Sequence, residues 1–177
     1  MTKYPQGHEG GDSMMRNDGL RLLGNLASGE PVYDRFNSHL HHEVQELLPE
    51  VFAGMVSKNG RFIVHEHDFG RIVGKSSCVT TSGSDKVVYA RRPKRADLTR
   101  FVKNRQAEPS GKAVVILKGD DLEPYYILIT AFVGGMAAKE PWDFRATDED
   151  REFWENHALV WGSEEIIPGT ETAVCPW

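Results

Sequence analysis

Residues 86–135 decide the fold of this chain; they read KVVYARRPKRADLTRFVKNRQAEPSGKAVVILKGDDLEPYYILITAFVGG. Four segments rich in β-branched, aromatic or basic residues are separated by short turns that contain Pro, Gly, Asp or Ser. The segments are KVVYARR, LTRFVKNR, GKAVVILKG and YYILITAFVGG. Segments of this length and composition between turn residues are typical of neighbouring antiparallel strands. The sequence therefore predicts an antiparallel β-sheet meander of four strands.

Positive charge is concentrated in the early part of this stretch. Between Lys86 and Lys118, ten Lys or Arg residues stand against two acids, Asp97 and Glu108, which gives this basic window a net charge of +8. The whole chain carries −5, so all other residues together sum to −13. Such a separation favours a polyanion as the partner of the window. The alternative is a solvated basic strand pair, balanced by the acidic C-terminal helix of the same chain.

Length and composition set the broad class. A chain of 177 residues with 40% apolar content predicts one domain with one core. We expect a disordered or loosely ordered N-terminus over residues 1–19, a single α+β domain over 20–161 and an acidic, extended tail over 162–177. No apolar run approaches the ~20 residues of a membrane span, and residues 1–19 lack the apolar core of a secretion signal. Cys78 and Cys175 fit no metal or redox spacing, so free thiols and a cytoplasmic location are predicted.

The remaining elements are predicted from periodicity and turn chemistry. LRLLGNL predicts a short helix over residues 20–26, and apolar spacing predicts a helix over residues 32–55 that Pro49 kinks or splits. RFIVHEHDF predicts a strand, and KSSCVTTSGSD a short strand followed by a polar loop. Thr147 is a good N-cap for a helix over residues 148–161. The class is α+β, with N-terminal helices, the antiparallel meander and a C-terminal helix.

Histidines supply the candidates for acid–base chemistry. His39 and His42 are three residues apart and share a helix face, whereas His41 lies elsewhere on that helix. A neutral imidazole can take a proton from a ribose 2′-hydroxyl, and its cation can protonate the leaving 5′-oxygen. With His65 and His67 they would provide four imidazoles for a metal, but neither pair has a recognised zinc signature. The alternative is a set of polar, partly buried surface histidines.

Taken together, a helix with histidines, basic early strands and a late strand ending in Thr130-Ala131-Phe132 resemble the barnase–EndoU–colicin–RelE-like superfamily of small nucleases. The resemblance covers roughly residues 33–133, and many members are toxins. Where many of them have Thr-Ala-Tyr, this chain has Phe132 and lacks the phenolic hydroxyl. The block TRFVKNR with the following VVIL and ITAF strands also looks like an uncharacterised bacterial and phage group.

The resemblance implies a metal-independent RNA endonuclease, a hydrolase that needs no cofactor and attacks the phosphate through the ribose 2′-hydroxyl. Its partners would be RNA and, for a toxin-like protein, an inhibitory partner protein. Cations would stabilise the transition-state phosphate, a threonine would orient it, and a histidine would act as base or acid. The implied catalytic residues are His42, His39, Lys103, Arg105 and Thr130. The implied RNA-binding residues are Arg91, Arg92, Lys94, Arg95 and Arg100.

Two alternatives stay open at this point. The first is a non-catalytic RNA-binding or protein-interaction module of phage or bacterial origin, in which the acidic tail folds over the basic sheet. It predicts salt-dependent RNA binding without cleavage. The second is a metallohydrolase built on His39, His42, His65 and His67.

Overall fold

A computed structural model describes residues 20–23, 32–33, 42–53, 62–119 and 126–177. The protein is mixed α+β, and its sheets are mostly antiparallel. The chain divides into two compact units. Unit 1 takes in the described parts of Met1–Val64 and of Val115–Ala131, and unit 2 consists of His65–Val114 and Phe132–Trp177. All four tryptophans of the sequence belong to unit 2, so tryptophan fluorescence reports on that unit.

Most of the elements are short strands, and few are helices. In chain order they are β1 (Leu20–Leu23), β2 (Val32–Tyr33), α1 (His42–Gln45), α2 (Leu48–Ala53), β3 (Phe62–Asp68), β4 (Gly74–Ser76), β5 (Cys78–Thr80), β6 (Val87–Arg91), β7 (Leu98–Val102), β8 (Glu108–Ser110), β9 (Lys112–Gly119), β10 (Tyr126–Val133), α3 (Asp148–Asn156) and β11 (His157–Val160).

The strands of the described residues form three sheets. A five-stranded sheet has the order β2-β1-β10-β9-β3, a four-stranded sheet has the order β5-β11-β7-β6, and β4 pairs with β8. Strands β6 and β7 form an antiparallel hairpin, with Val87 opposite Val102 and Arg91 opposite Leu98. Strand β11 pairs antiparallel with β5 and parallel with β7.

The four strands predicted over residues 86–135 are confirmed, but the prediction of one continuous meander is wrong. Strands β6 and β7 belong to the four-stranded sheet, whereas β9 and β10 belong to the five-stranded sheet. The reason is that β11 occupies the free edge of β7, where a meander would place β9. The chain between β7 and β9 instead forms β8, which pairs with β4.

Two helix predictions at the N-terminal side are wrong in part. Leu20–Leu23 is a strand, because it gains ladder hydrogen bonds to β10, and Gly24 leaves this segment little helix propensity. Val32–Tyr33 is a strand paired with β1 rather than the start of a helix. Helices α1 and α2 occupy the second half of the predicted range, and residues 34–41 lie outside the described part. Pro49 is the second residue of α2, in the first turn, where proline costs no hydrogen bond.

The N-cap prediction is confirmed, but the predicted helix is too long. The Thr147 side chain accepts from the Asp150 N–H, and the Asp150 carboxylate accepts from the Thr147 N–H at 2.9 Å, which completes a capping box. Helix α3 ends at Asn156, and His157 has extended backbone angles of −129° and 153°. His157–Val160 is therefore a strand, β11, rather than the last part of the predicted helix. The residues of β11 lie between β5 and β7, and their burial there favours extended structure over a helix.

The core of unit 2 covers both faces of the four-stranded sheet. One cluster contains Phe101, Trp154 and Leu159, and the indole N–H of Trp154 donates to the Ala138 carbonyl at 3.0 Å. A second cluster contains Val102 and its neighbours. Consecutive residues of a strand point to opposite faces, and Phe101 and Val102 are both 0% exposed. Neither face of β7 is therefore open to a ligand.

Other expectations have mixed outcomes. The strand over RFIVHEHDF is confirmed. Both cysteines are free thiols, as predicted, and burial raises the pKa of Cys78 to about 11. Among the described residues, no helix has the length and apolar character that crossing a bilayer requires. Residues 1–19, predicted to be loosely ordered, lie outside the described part, and the proposed single domain over 20–161 stays a prediction.

The capping box gives a stability prediction. Replacing Thr147 with Ala removes the acceptor for the Asp150 N–H, so we expect the free energy of unfolding of unit 2 to fall by about 1 kcal/mol. Urea unfolding followed by tryptophan fluorescence measures it, because all tryptophans belong to that unit. The control is Thr147→Ser, which keeps the hydroxyl and should unfold close to wild type. Equal midpoints for Thr147→Ala and wild type would contradict the prediction.

Candidate nucleic-acid interface

The basic window surrounds the β6–β7 hairpin, and its cations differ sharply in their surroundings. At the turn, Arg95 N donates to Arg92 O at 3.3 Å, with Pro93 and Lys94 between them. Lys94 has a φ of 62°, which fits the third position of a type II turn, where glycine or asparagine is usual. The Arg91 Nε donates to the Arg95 carbonyl at 3.2 Å and closes the turn. Arg91, Lys94 and Arg95 are all exposed.

Arg92, next to these residues, is an internal group. Its guanidinium forms an ion pair with Glu140, and the two side chains are only 13% and 9% exposed. The Nε of Arg92 donates to the Thr99 hydroxyl at 3.1 Å, and that hydroxyl lies 2.9 Å from Glu140 Oε1. The indole N–H of Trp142 donates to the second oxygen of Glu140. Arg92 therefore holds the loop that carries Glu140 against the sheet, and its predicted RNA contact would require breaking this network.

Arg100 is also engaged within the protein. Its Nη1 lies 2.8 Å from the Trp154 carbonyl, 2.7 Å from that of Glu155 and 2.9 Å from that of His157. These carbonyls are at the C-terminal end of α3, where backbone acceptors lack partners within the helix and a cation is favoured. Arg100 thus joins β7 to the end of α3.

The two cations with implied roles at the transition state have acidic partners of their own chain. Lys103 forms an ion pair with Glu171. Arg105 pairs with Asp85 at 3.2 Å and with Glu108. The hydrogen bond that Arg105 donates to the Glu108 carboxylate raises the pKa of the Arg105 guanidinium. Both residues are thus already neutralised by the protein.

Lys112 has a similar partner in Glu66. Its Nζ lies 2.6 Å from Glu66 Oε1, and the Met136 N–H donates to the other oxygen at 2.7 Å. The hydrogen bond from Lys112, followed by that from Met136, lowers the pKa of Glu66. The two side chains are 45% and 30% exposed, so this pair contributes little to stability.

Five of the ten cations of the window therefore have an acidic partner or the carbonyls at the end of α3 as partners: Arg92, Arg100, Lys103, Arg105 and Lys112. Among the residues that the structure describes, the other five have no acidic partner, and Arg91 donates only to the carbonyl of Arg95 within the same turn; these five are Lys86, Arg91, Lys94, Arg95 and Lys118. Three of these five lie together at the β6–β7 turn. Arg105 lies past the other end of the hairpin. Its separation from the turn exceeds the span of β6 from Arg91 to Val87, which is four residue steps or roughly 13 Å.

The histidines do not complete this arrangement within the described residues. His39 and His41 lie outside the described part, and His42 begins α1 without a described side chain. Thr130 is half-buried in the part of β10 that belongs to unit 1, whereas Lys103 and Arg105 belong to unit 2. Their convergence with a histidine stays a prediction.

The described residues also bear on the metal alternative. The ring centroids of His65 and His67 are 6.0 Å apart on β3. No group of three or more potential metal ligands occurs in the part of the chain that the structure describes. His39, which the metal hypothesis also requires, lies outside that part.

Sequence reasoning predicted that an acidic helix or tail would balance the cations, but it identified no individual partner and it missed the aromatic ring beside Lys103. Glu140 and Glu171 neutralise Arg92 and Lys103, and Trp161 lies beneath the Lys103 ammonium. The excess of 13 negative charges outside the basic window was a signal that acids from elsewhere balance it. That signal gives no positions, because the pairs span 48 and 68 residues of sequence.

Comparison with known proteins gave no significant match to a family model, a curated protein or a solved structure. The resemblance to the nuclease superfamily therefore stays a prediction.

Removing one partner of the buried pair gives a strong stability prediction. We expect Glu140→Ala to lower the free energy of unfolding of unit 2 by about 3–5 kcal/mol, because it leaves Arg92 buried without its counter-ion. Glu164→Ala is the matched control, since Glu164 lies 3.8 Å from the same guanidinium but is 45% exposed, and it should cost less than ~1 kcal/mol. Urea unfolding by tryptophan fluorescence measures both. Equal losses for the two variants would show that Arg92 is not an internal group.

The Glu66–Lys112 pair predicts a pH dependence with a defined sign. The pKa of Glu66 is lower in the folded protein than its ordinary value of 4.5, so its stabilisation is present above that value. The stabilisation is lost as pH falls through the lowered folded pKa. We expect the stability difference between wild type and Glu66→Gln, below ~1 kcal/mol, to be constant near neutral pH and to vanish in acid. A stability difference that grew in acid would contradict the assignment.

Proposed function

We propose that this protein binds the sugar-phosphate backbone of RNA through the exposed cations of the β6–β7 turn, as a non-catalytic binding module. The observation that carries the proposal is the turn itself. Arg91, Lys94 and Arg95 are exposed, lie within five residues, and have no acidic partner among the described residues. Because Pro93 and the Arg91–Arg95 hydrogen bond restrict the turn, little conformational entropy is lost when the cations bind.

The left-handed backbone at Lys94 supports a role for that side chain. A non-glycine residue with a φ of 62° is uncommon and costs energy that glycine would avoid. A lysine at this position presents an ammonium group at the tip of the hairpin. Strain of this kind often accompanies a binding function. A contact with a phosphate is a function that requires the ammonium group of Lys94.

The covered faces of the four-stranded sheet indicate which features of RNA such a surface would contact. Phe101 and Val102 are fully buried on opposite faces, so bases have no sheet face on which to stack. Contacts would go to phosphates, which position a nucleic acid without reading its sequence. We therefore expect binding that depends strongly on salt and weakly on sequence.

Binding is better supported than cleavage by the surroundings of Arg105. Arg105 would have to stabilise a transition-state phosphate in the nuclease mechanism, yet it is paired with both Asp85 and Glu108. In addition, Phe132 lacks the hydroxyl found at the corresponding position of many superfamily members. The alternative is metal-independent RNA cleavage by a protein that also has an inhibitory partner protein. The protein samples used to measure binding also serve to test for cleavage.

The proposal predicts a measurable salt slope. Fluorescence anisotropy of a labelled single-stranded RNA, titrated across a series of KCl concentrations, gives the dependence of log K on log salt. Replacing Arg91, Lys94 and Arg95 together with Gln removes three phosphate contacts and should lower the magnitude of the slope by about 2. The matched control replaces Lys75, Lys139 and Arg151, which are exposed cations elsewhere in unit 2, and removes the same charge.

The control distinguishes a defined interface from net charge. The turn variant should lose far more affinity than the control variant if the hairpin is the interface. Equal losses, or binding by wild type that does not change with salt, would overturn the proposal.

Cleavage is tested on the same samples in the presence of EDTA. If RNA fragments ending in a 2′,3′-cyclic phosphate accumulate with wild type but not with His42→Gln, the protein is an endonuclease and the non-catalytic proposal is wrong. Intact RNA in every sample supports the binding module.

A further inference from the structure

The ammonium group of Lys103 lies between an aromatic ring and a carboxylate. Its Nζ is 4.4 Å from the centroid of the Trp161 ring and forms an ion pair with Glu171. The Trp161 ring is held in place by edge-to-face packing on Phe101, with centroids 5.6 Å apart. The backbone N–H of Trp161 donates to the Val102 carbonyl at 2.9 Å. This arrangement presents one fixed cation over one fixed ring, with a carboxylate as its anion.

Glu171 is brought there by a segment that is firmly attached to β6. The N–H and C=O groups of Thr172 exchange hydrogen bonds of 2.9 and 2.8 Å with Tyr89. Ile167 N donates to Arg91 O at 2.8 Å, and Trp177 packs edge-to-face on Tyr89 with centroids 5.2 Å apart. The segment is therefore fixed through its backbone and its last ring. The ion pair itself involves only the side chain of Glu171, which can move while the segment stays bound.

We propose that Lys103 over Trp161 is a phosphate subsite for single-stranded RNA, and that Glu171 occupies it in the phosphate's place as a built-in competitor. This inference rests on the proposed RNA binding and names a further contact and its regulation. A carboxylate and a phosphodiester both offer anionic oxygens to an ammonium, so one can replace the other. The indole face holds the cation in position by a cation–π interaction.

The energetics allow the exchange. Lys103 and Glu171 are 36% and 41% exposed, and ion pairs exposed to this degree are weak and screened by salt. An RNA strand already held at Arg91, Lys94 and Arg95 would bring further phosphates to Lys103 at a high effective concentration. Lys103 lies five residue steps after Leu98, which is roughly 16 Å in the direction of β7. Neighbouring phosphates of one RNA chain can span this distance. The buried pair of Arg92 and Glu140, by contrast, would resist such displacement.

The test removes the competitor without removing the segment. Glu171→Gln keeps the shape of the side chain and the backbone bonds of Thr172, and its urea midpoint should match wild type. We expect its affinity for a labelled single-stranded oligouridylate to rise about two- to fivefold at low salt. Glu165→Gln, an exposed acid of the same segment without an ion pair among the described residues, controls for the change in net charge and should bind like wild type.

The second arm asks whether the gain depends on Lys103. In the Lys103→Gln background, Glu171→Gln should no longer raise the affinity, because the cation that it frees is absent. A gain that persists in this background, or a gain equal to that of Glu165→Gln, overturns the competitor role while leaving the turn as the RNA interface. If neither wild type nor Glu171→Gln binds the oligouridylate, the proposed function fails, and the subsite fails with it.

Discussion

The pairing of β7 on both of its edges is the constraint on which the rest of unit 2 depends. Its antiparallel partner is β6 and its parallel partner is β11, and Thr99, Phe101 and Val102 are at most 1% exposed. The surroundings of Arg100, in β7, and of Lys103, which directly follows β7, are determined by that pairing. Arg100 reaches the last carbonyls of α3 because β11 follows α3 directly and lies beside β7. Lys103 meets Trp161 because Trp161 follows β11 and bonds to Val102.

Burial then divides the cations into two classes. Arg92 lies in a site so enclosed that it requires its counter-ion, its hydroxyl partner and the loop that supplies Glu140. Lys103 lies at the edge, where water competes with Glu171 and the pair is weak. The same kind of residue in the same basic window thus serves the fold in one place and remains available for a partner in another. Net charge alone does not separate these cases, because desolvation sets the free energy of each pair.

This division also bears on the proposed binding of RNA. Exposed cations at a rigid turn favour contacts with phosphates, and the closed faces of the four-stranded sheet leave no platform for reading bases. The acids that the chain places on its own cations act in the opposite direction and reduce non-specific attraction. Such a balance suits a module whose affinity is adjusted by a few exposed ion pairs.

The amino-acid sequence by itself determined the strands of the basic window, the α+β class, the strand at RFIVHEHDF and the N-cap at Thr147. These features follow from local composition, since β-branched residues, turn residues and a capping hydroxyl act within a few positions of one another. Only the tertiary structure decided that β11 forms at the end of the predicted helix and pairs with β7, which prevents one continuous meander. It also decided that Glu140 pairs with Arg92 and Glu171 with Lys103. Those outcomes depend on contacts between residues more than forty positions apart, and periodicity and charge counts contain no information about which distant partners will meet.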